Sequence, residues 1–114
     1  MSTTLSYRSL AFAAALGCIW FGLVAAAEAP TPATRTVTIE GASFHPKVLT
    51  VKVGDSITWI NKDPFPHTVT SRAGDFNSHQ IPPDKSWTYT AQTKGEFPYI
   101  CTLHTTMRAM LRVH

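Results

Sequence analysis

The sequence predicts an all-β domain, a Greek-key β-sandwich, preceded by an N-terminal leader. Three observations carry that reading. Past residue 34 the chain is a succession of short runs rich in Val, Ile, Thr and aromatic residues, several of them alternating polar with apolar. Gly, Pro, Asn and Asp clusters punctuate these runs, which is the pattern of strands joined by turns. No window in that region has the apolar period of an amphipathic helix. Strands with one face to bury settle into a sandwich or a Greek-key barrel.

The elements follow in chain order. Met1–Ser9 is polar with one basic residue, Arg8, and Leu10–Val24 is a continuous apolar run followed by Ala25-Ala26-Ala27. A basic start, an apolar stretch and an A-x-A site describe a secretory signal peptide, residues 1–27, cut after Ala27 or, as second choice, Ala29. The apolar run falls short of the roughly 20 residues that a membrane-spanning helix needs. An uncleaved anchor and a lipidated Cys18 are weaker readings of the same segment. Residues 28–34 are a Pro/Ala/Thr linker, and residues 35–114 form the domain. Its strands are expected at Arg35–Glu40, Val48–Val53, Ser56–Ile60, His67–Thr70, Ser86–Thr90, Phe97–Cys101 and Arg108–Val113. Trp59, Phe97, Tyr99, Ile57, Ile60, Val69, Leu111 and Val113 are the core candidates. Pro64, Pro66, Pro82 and Pro83 fall between strands, where a missing N–H does no harm.

Two cysteines suggest a disulfide, but Cys18 leaves with the leader and Cys101 remains alone. A lone thiol in an exported chain needs either a partner or a task. Without Arg8 the basic excess over the seven acidic residues is small, and the charges are scattered. That pattern excludes the basic run or stripe that nucleic-acid binding requires.

The chemistry concentrates in Cys101-Thr-Leu-His104-Thr-Thr-Met107. Thiolate and thioether favour a soft or borderline ion, and imidazole suits copper or zinc. Cys and His alone would be weak evidence. Met discriminates, because two His, one Cys and a weak axial Met describe an electron-transfer copper centre. The second imidazole is assigned to His67, which follows the rigid turn Asp63-Pro-Phe-Pro66. The expected metal ligands are therefore His67, Cys101, His104 and Met107, holding one copper ion per chain. Taken singly, each has a bland reading: an inert core thiol, a turn histidine, a core methionine. Their joint spacing in an exported β-domain is what argues for a site. Met110 is a rival axial ligand, but it falls inside the last strand pattern. His45, His79 and His114 are read as surface residues.

The segments Trp59-Ile-Asn61, Pro66-His67-Thr-Val69 and Gly95-Glu-Phe-Pro-Tyr99-Ile-Cys101-Thr-Leu-His104-Thr-Thr-Met107-Arg108 resemble the cupredoxins, most nearly the amicyanins. The resemblance spans about residues 36–113 and includes the Cys-x2-His-x2-Met spacing. It implies a cupredoxin fold, His67, Cys101 and His104 as equatorial ligands, and Met107 as the axial one. It implies that Asn61 hydrogen-bonds near the ligand loop and ties the two loops together. It also implies His104 as a surface electron port, with Leu103, Phe65, Pro66 and Met107 around it as an apolar docking patch. Lys62, Asp63 and Arg108 are then expected at the rim. Two departures stand out. Leu103 and Thr105 flank His104 where the family usually carries Pro, and Thr68 stands where it typically has Asn.

The function expected is that of an exported, periplasmic, monomeric carrier of single electrons that cycles between Cu(II) and Cu(I). The resemblance suggests an amine dehydrogenase as donor and a cytochrome c as acceptor. A copper carrier or buffer would use the same donors, but the chain lacks the methionine-rich runs that would favour it. A Cys/His hydrolase would need a base, an orienting group and an oxyanion hole, and the domain is too short for much of a cleft, so no enzymatic activity is expected.

Overall fold

The computed structural model describes residues 31–114, with Gly17 and Gly22 ahead of them; the expected signal peptide and its cleavage site otherwise lie outside the described residues. Eight strands follow: β1 Thr34–Glu40, β2 Ser43–His45, β3 Val48–Val51, β4 Ser56–Asn61, β5 Thr70–Ser71, β6 Ser86–Thr90, β7 Gly95–Ile100 and β8 Arg108–Val113. They form two four-stranded sheets, ordered β2-β1-β4-β6 and β3-β8-β7-β5. The chain changes sheet after β2, β3, β4, β5 and β6, and the parallel pairs β1/β4 and β3/β8 result from those crossings.

Alternation sets which side chains meet between the sheets. In β4, Ile57, Trp59 and Asn61 point inward and are fully buried. From the other sheet Tyr99, Leu111 and Val113 meet them, and Trp59 Nε1–H donates to Tyr99 Oη at 3.2 Å. The Trp59 and Tyr99 rings lie edge to face at 5.7 Å, a favoured arrangement for aromatic pairs. Burial pushes the Tyr99 phenol up to about 12, only partly offset by the Trp59 hydrogen bond.

Six of the eight expected core residues are buried, and Ile60 and Phe97 are only partly so. Ile60 is on the outward register of β4, opposite in phase to Ile57 and Trp59. Phe97 has the inward phase of Tyr99 but lies toward the end of its sheet, against Gly95. The expected strand at His67–Thr70 is shorter than read: His67 makes only an isolated bridge with Ile81, and pairing as β5 begins at Thr70. The strand β2 was not foreseen. It returns from β1 through Gly41-Ala42, both at positive φ (61° and 52°), the left-handed pair of a tight hairpin.

Candidate metal centre

The site lies at one end of the sandwich, where loops from the two sheets converge. His67 arrives on the turn that follows β4. Asn61, the last residue of β4, is fully buried and holds this turn: its Nδ2 donates to Phe65 O at 2.8 Å and to Ile81 O at 2.9 Å, and its Oδ1 accepts the Asp63 N–H at 3.0 Å. His67 N–H donates to Ile81 O at 3.2 Å, and Ile81 N–H donates to His67 O at 2.7 Å. The imidazole is thus carried on a backbone pinned from both sides.

The other donors come from the β7–β8 hairpin. Ile100 pairs with Arg108 as the last named rung, and the ladder continues with Cys101 N–H donating to Met107 O at 3.2 Å. Met107 N–H closes the tip by donating to His104 O at 2.9 Å. Cys101 and Met107 are buried at the base of the loop, and His104, nearer its tip, is half-buried. The β5/β7 register, Thr70 opposite Ile100, runs on past the sheet and sets Thr68 beside Cys101 and Thr102.

These supports bring together His67, Cys101 and His104, whose ligand atoms all lie within 4.8 Å of one another. Cys101 Sγ is 3.7 Å from His67 Nδ1 and 3.8 Å from His104 Nδ1. Such separations suit atoms that each bind one shared ion at about 2.0–2.3 Å. The other nitrogen of His67 faces Asp63, with Nε2 to Oδ2 at 2.7 Å. A carboxylate accepting the outer N–H leaves the inner nitrogen unprotonated and aimed, the usual arrangement around a metal-binding histidine. Thr68 N–H donates to Cys101 Sγ at 3.3 Å. Two imidazoles, a buried thiolate and a methionine in the same loop fit copper.

Asp63 corrects an expectation. It is buried, not at the rim, and its carboxylate accepts Gly41 N–H at 2.7 Å and Ala42 N–H at 2.8 Å besides facing His67. Burial alone would raise its pKa; the Ala42 and Gly41 amides and the His67 ring outweigh that, and the carboxyl lies below its usual range. Lys62 and Arg108 are exposed. Asn61 fastens the His67 turn to Ile81, while the tie between the two loops runs through Thr68, whose Oγ1 accepts Thr102 N–H at 2.8 Å. The Thr68 hydroxyl thus supplies the tie between the two loops that was expected of Asn61. His45, His79 and His114 are exposed, and Met110 sits within β8, paired with Val48 and Pro98. Sequence reasoning missed Asp63 as a partner of His67. The four-residue spacing Asp63-x-x-x-His67 was the available signal.

A two-sheet sandwich with two histidines and a cysteine converging at one end defines a class, the copper-binding β-sandwich with a thiolate ligand. The family model for the cupredoxin-like domain matches residues 12–113, and the chain belongs to that family. It is similar to the amicyanin of Paracoccus versutus, 30% identical over 95 residues that cover 79% of this chain and 71% of that one. A solved structure of a substituted amicyanin in its Cu(I) form superposes with a TM-score of 0.68 at 29% identity, covering 71% of this chain and 82% of the other. The copper-containing nitrite reductase of Thermus scotoductus also superposes (TM-score 0.67, 28% identity), covering 75% of this chain but 23% of that longer one. Cupredoxin relatives bind one copper, and His67, Cys101 and His104 form its candidate site here.

Proposed function

We propose that this chain is an exported, periplasmic carrier of single electrons, in which His67, Cys101 and His104, with Met107 as a weaker fourth donor, would hold copper. The observation that carries the reading is the contrast within the donor set: His67 and Cys101 are fully buried, while His104 is only half-buried, near the loop tip. Bound copper supplies a one-electron couple. The protein supplies rigidity: Asp63 holds the His67 ring, Thr68 donates to the Cys101 sulfur, and the bonded loop base fixes the Cys101 and Met107 backbones. A site so held has little to rearrange when the charge on the ion changes.

His104 is the proposed electron port. Phe65, 40% exposed, has its ring 5.6 Å from that of His104, and Leu103 is 45% exposed. Apolar side chains beside the port suit the small, weak interfaces of redox encounters, and the exposed Lys62 and Arg108 tune the rate of encounter more than its strength. The reading includes removal of residues 1–27, a linker at 28–34, a monomeric domain at 35–114, and a dehydrogenase and a cytochrome c as partners. The nitrite reductase likeness does not favour an enzyme, since this chain matches about a quarter of it.

The test is the visible spectrum of residues 28–114 with Cu(II), followed by ascorbate and then oxygen. An intense blue thiolate-to-copper band that bleaches and returns is the expected result, and Cys101→Ser removes it. A blue Cys101→Ser protein overturns the ligand assignment. A wild-type ion lost at once to a mild chelator would favour the copper-carrier reading.

A further inference from the structure

A chain of hydroxyl groups runs away from the site, and its hydrogens can be assigned one by one. His79 N–H donates to Asn77 Oδ1 at 2.9 Å, which identifies that atom as the amide oxygen, because an NH2 group could not accept. Thr70 Oγ1 donates to the same oxygen at 3.3 Å, the longest link, and an antiparallel bridge between Thr70 and Asn77 supports it. A threonine hydroxyl has a single hydrogen. At its 3.1 Å contact with Thr68, Thr70 must therefore accept and Thr68 donate. Thr68 has no hydrogen left for its 3.0 Å contact with Thr102, so there Thr102 donates. The hydrogens all point one way: Thr102 to Thr68, Thr68 to Thr70, Thr70 to Asn77.

This direction matters for the sulfur. Thr68 Oγ1 receives both the N–H and the O–H of Thr102, and passes its own hydrogen outward. Aligned bonds polarise one another, and together they hold Thr68 where its N–H meets Cys101 Sγ at 3.3 Å. Hydrogen bonding around a copper-ligating sulfur sets the reduction potential. A donated N–H draws electron density from the sulfur, which weakens its hold on Cu(II) more than on Cu(I).

We propose that Thr70 and Asn77, outside the donor set, are positioning residues that fix the direction of the Thr102-Thr68 hydrogen bonds and so raise the reduction potential of copper bound at Cys101. The inference rests on the copper reading of the site.

The experiment is a redox titration of the copper-loaded chain, followed by its blue band, for wild type, Thr70→Val, Thr70→Ser and Asn77→Ala. Thr70→Val and Asn77→Ala each lower the potential, by about threefold in the oxidised-to-reduced ratio at fixed poise, or ~30 mV at 59 mV per decade for one electron. Thr70→Ser, which keeps the hydroxyl, stays at the wild-type value. Because Asn77 is exposed and Thr70 only half-buried, these variants leave the core intact. A wild-type potential in Thr70→Val, or an equal fall in Thr70→Ser, overturns the proposal. A wild-type protein without a blue band fails the copper reading instead. Amide hydrogen exchange of the metal-free chain then judges the hydroxyl chain alone. Faster exchange at the Thr68 and Thr102 amides in Thr70→Val, restored in Thr70→Ser, supports the chain, and unchanged exchange overturns it.

Discussion

Asn61→Leu separates the turn that carries His67 from the rest of the core. Asn61 is fully buried and satisfies three backbone groups, Phe65 O, Ile81 O and Asp63 N–H. Leu is close to Asn in size, so the cost is one of lost hydrogen bonds more than of a cavity. Ile81 O keeps its bond from His67 N–H, and Phe65 lies at the surface, where water can reach its carbonyl. The Asp63 N–H is left inside without a partner, which costs about 1–3 kcal/mol, and losing the Phe65 bond adds about 1 kcal/mol. The sum is about 2–4 kcal/mol. At roughly 4–8 °C per kcal/mol for a domain of this size, the melting midpoint should fall by roughly 8–32 °C. Calorimetry of the metal-free chain measures it, and a copper titration measures the weaker binding expected once His67 is less well held. A midpoint within about 2 °C of wild type, with unchanged copper affinity, would refute the claim that these bonds hold the turn.

His104→Ala removes the half-buried imidazole near the loop tip while leaving the buried Cys101 and Met107 in place. Electron exchange with a small redox partner should slow at least tenfold in stopped-flow measurements, with the far-ultraviolet circular dichroism unchanged. Asp55 is held below the usual carboxylate range by the amides of Lys52 and Ala33, with Arg35 and Lys52 adding to the effect against burial. Its stabilisation is therefore complete above about pH 3.9, its unfolded value, and is lost as pH falls through the lower folded value. Acid unfolding followed by fluorescence should show Asp55→Asn losing stability at neutral pH and becoming less sensitive to acid than wild type. Ala42, at φ 52°, occupies a conformation that costs an L-residue about 1–2 kcal/mol. Ala42→Gly should raise the melting midpoint by a few degrees, and a fall would mean that the packing of the Ala42 methyl on the core and the freedom Gly adds to the unfolded chain outweigh the relieved strain.

Much of the fold was legible because burial between two sheets imposes a period of two. Arg35–Glu40, Ser56–Ile60 and Ser86–Thr90 alternate, and each falls within one residue of an observed strand. What stayed hidden depends on partners remote in sequence. Ser43–His45 is too short to show alternation and is a strand only because β1 lies beside it. Phe76 and Ile81 are buried although polar residues surround them in sequence, because the segment between β5 and β6 folds back over Trp59 and His67. The site divides in the same way. Cys101, His104 and Met107 share one loop, so their spacing was readable. His67 could be chosen only by its Pro-rich turn. Asp63 was misplaced because an isolated carboxylate defaults to the surface, and it is the amides of Gly41 and Ala42, with the His67 ring, that make its burial tolerable.

Those amides show why a small sandwich can keep a rigid site at its edge. His67 lies on the segment that leaves β4 in one sheet and enters β5 in the other. Its ring is held by Asp63, which is bonded in turn to the β1–β2 hairpin of the first sheet. Cys101, His104 and Met107 belong to the β7–β8 hairpin of the second. Thr68 joins the two groups through Thr102 and the Cys101 sulfur. All four donors converge only when both sheets are correctly docked, so an ion held by the full set binds the folded chain more tightly than the unfolded one, which keeps only the Cys101-His104-Met107 segment together. Such binding adds its free energy to that of folding. The same dependence works in reverse: with the scaffold already bonded around His67 and Cys101, these side chains would be held in place whatever the charge on a bound ion.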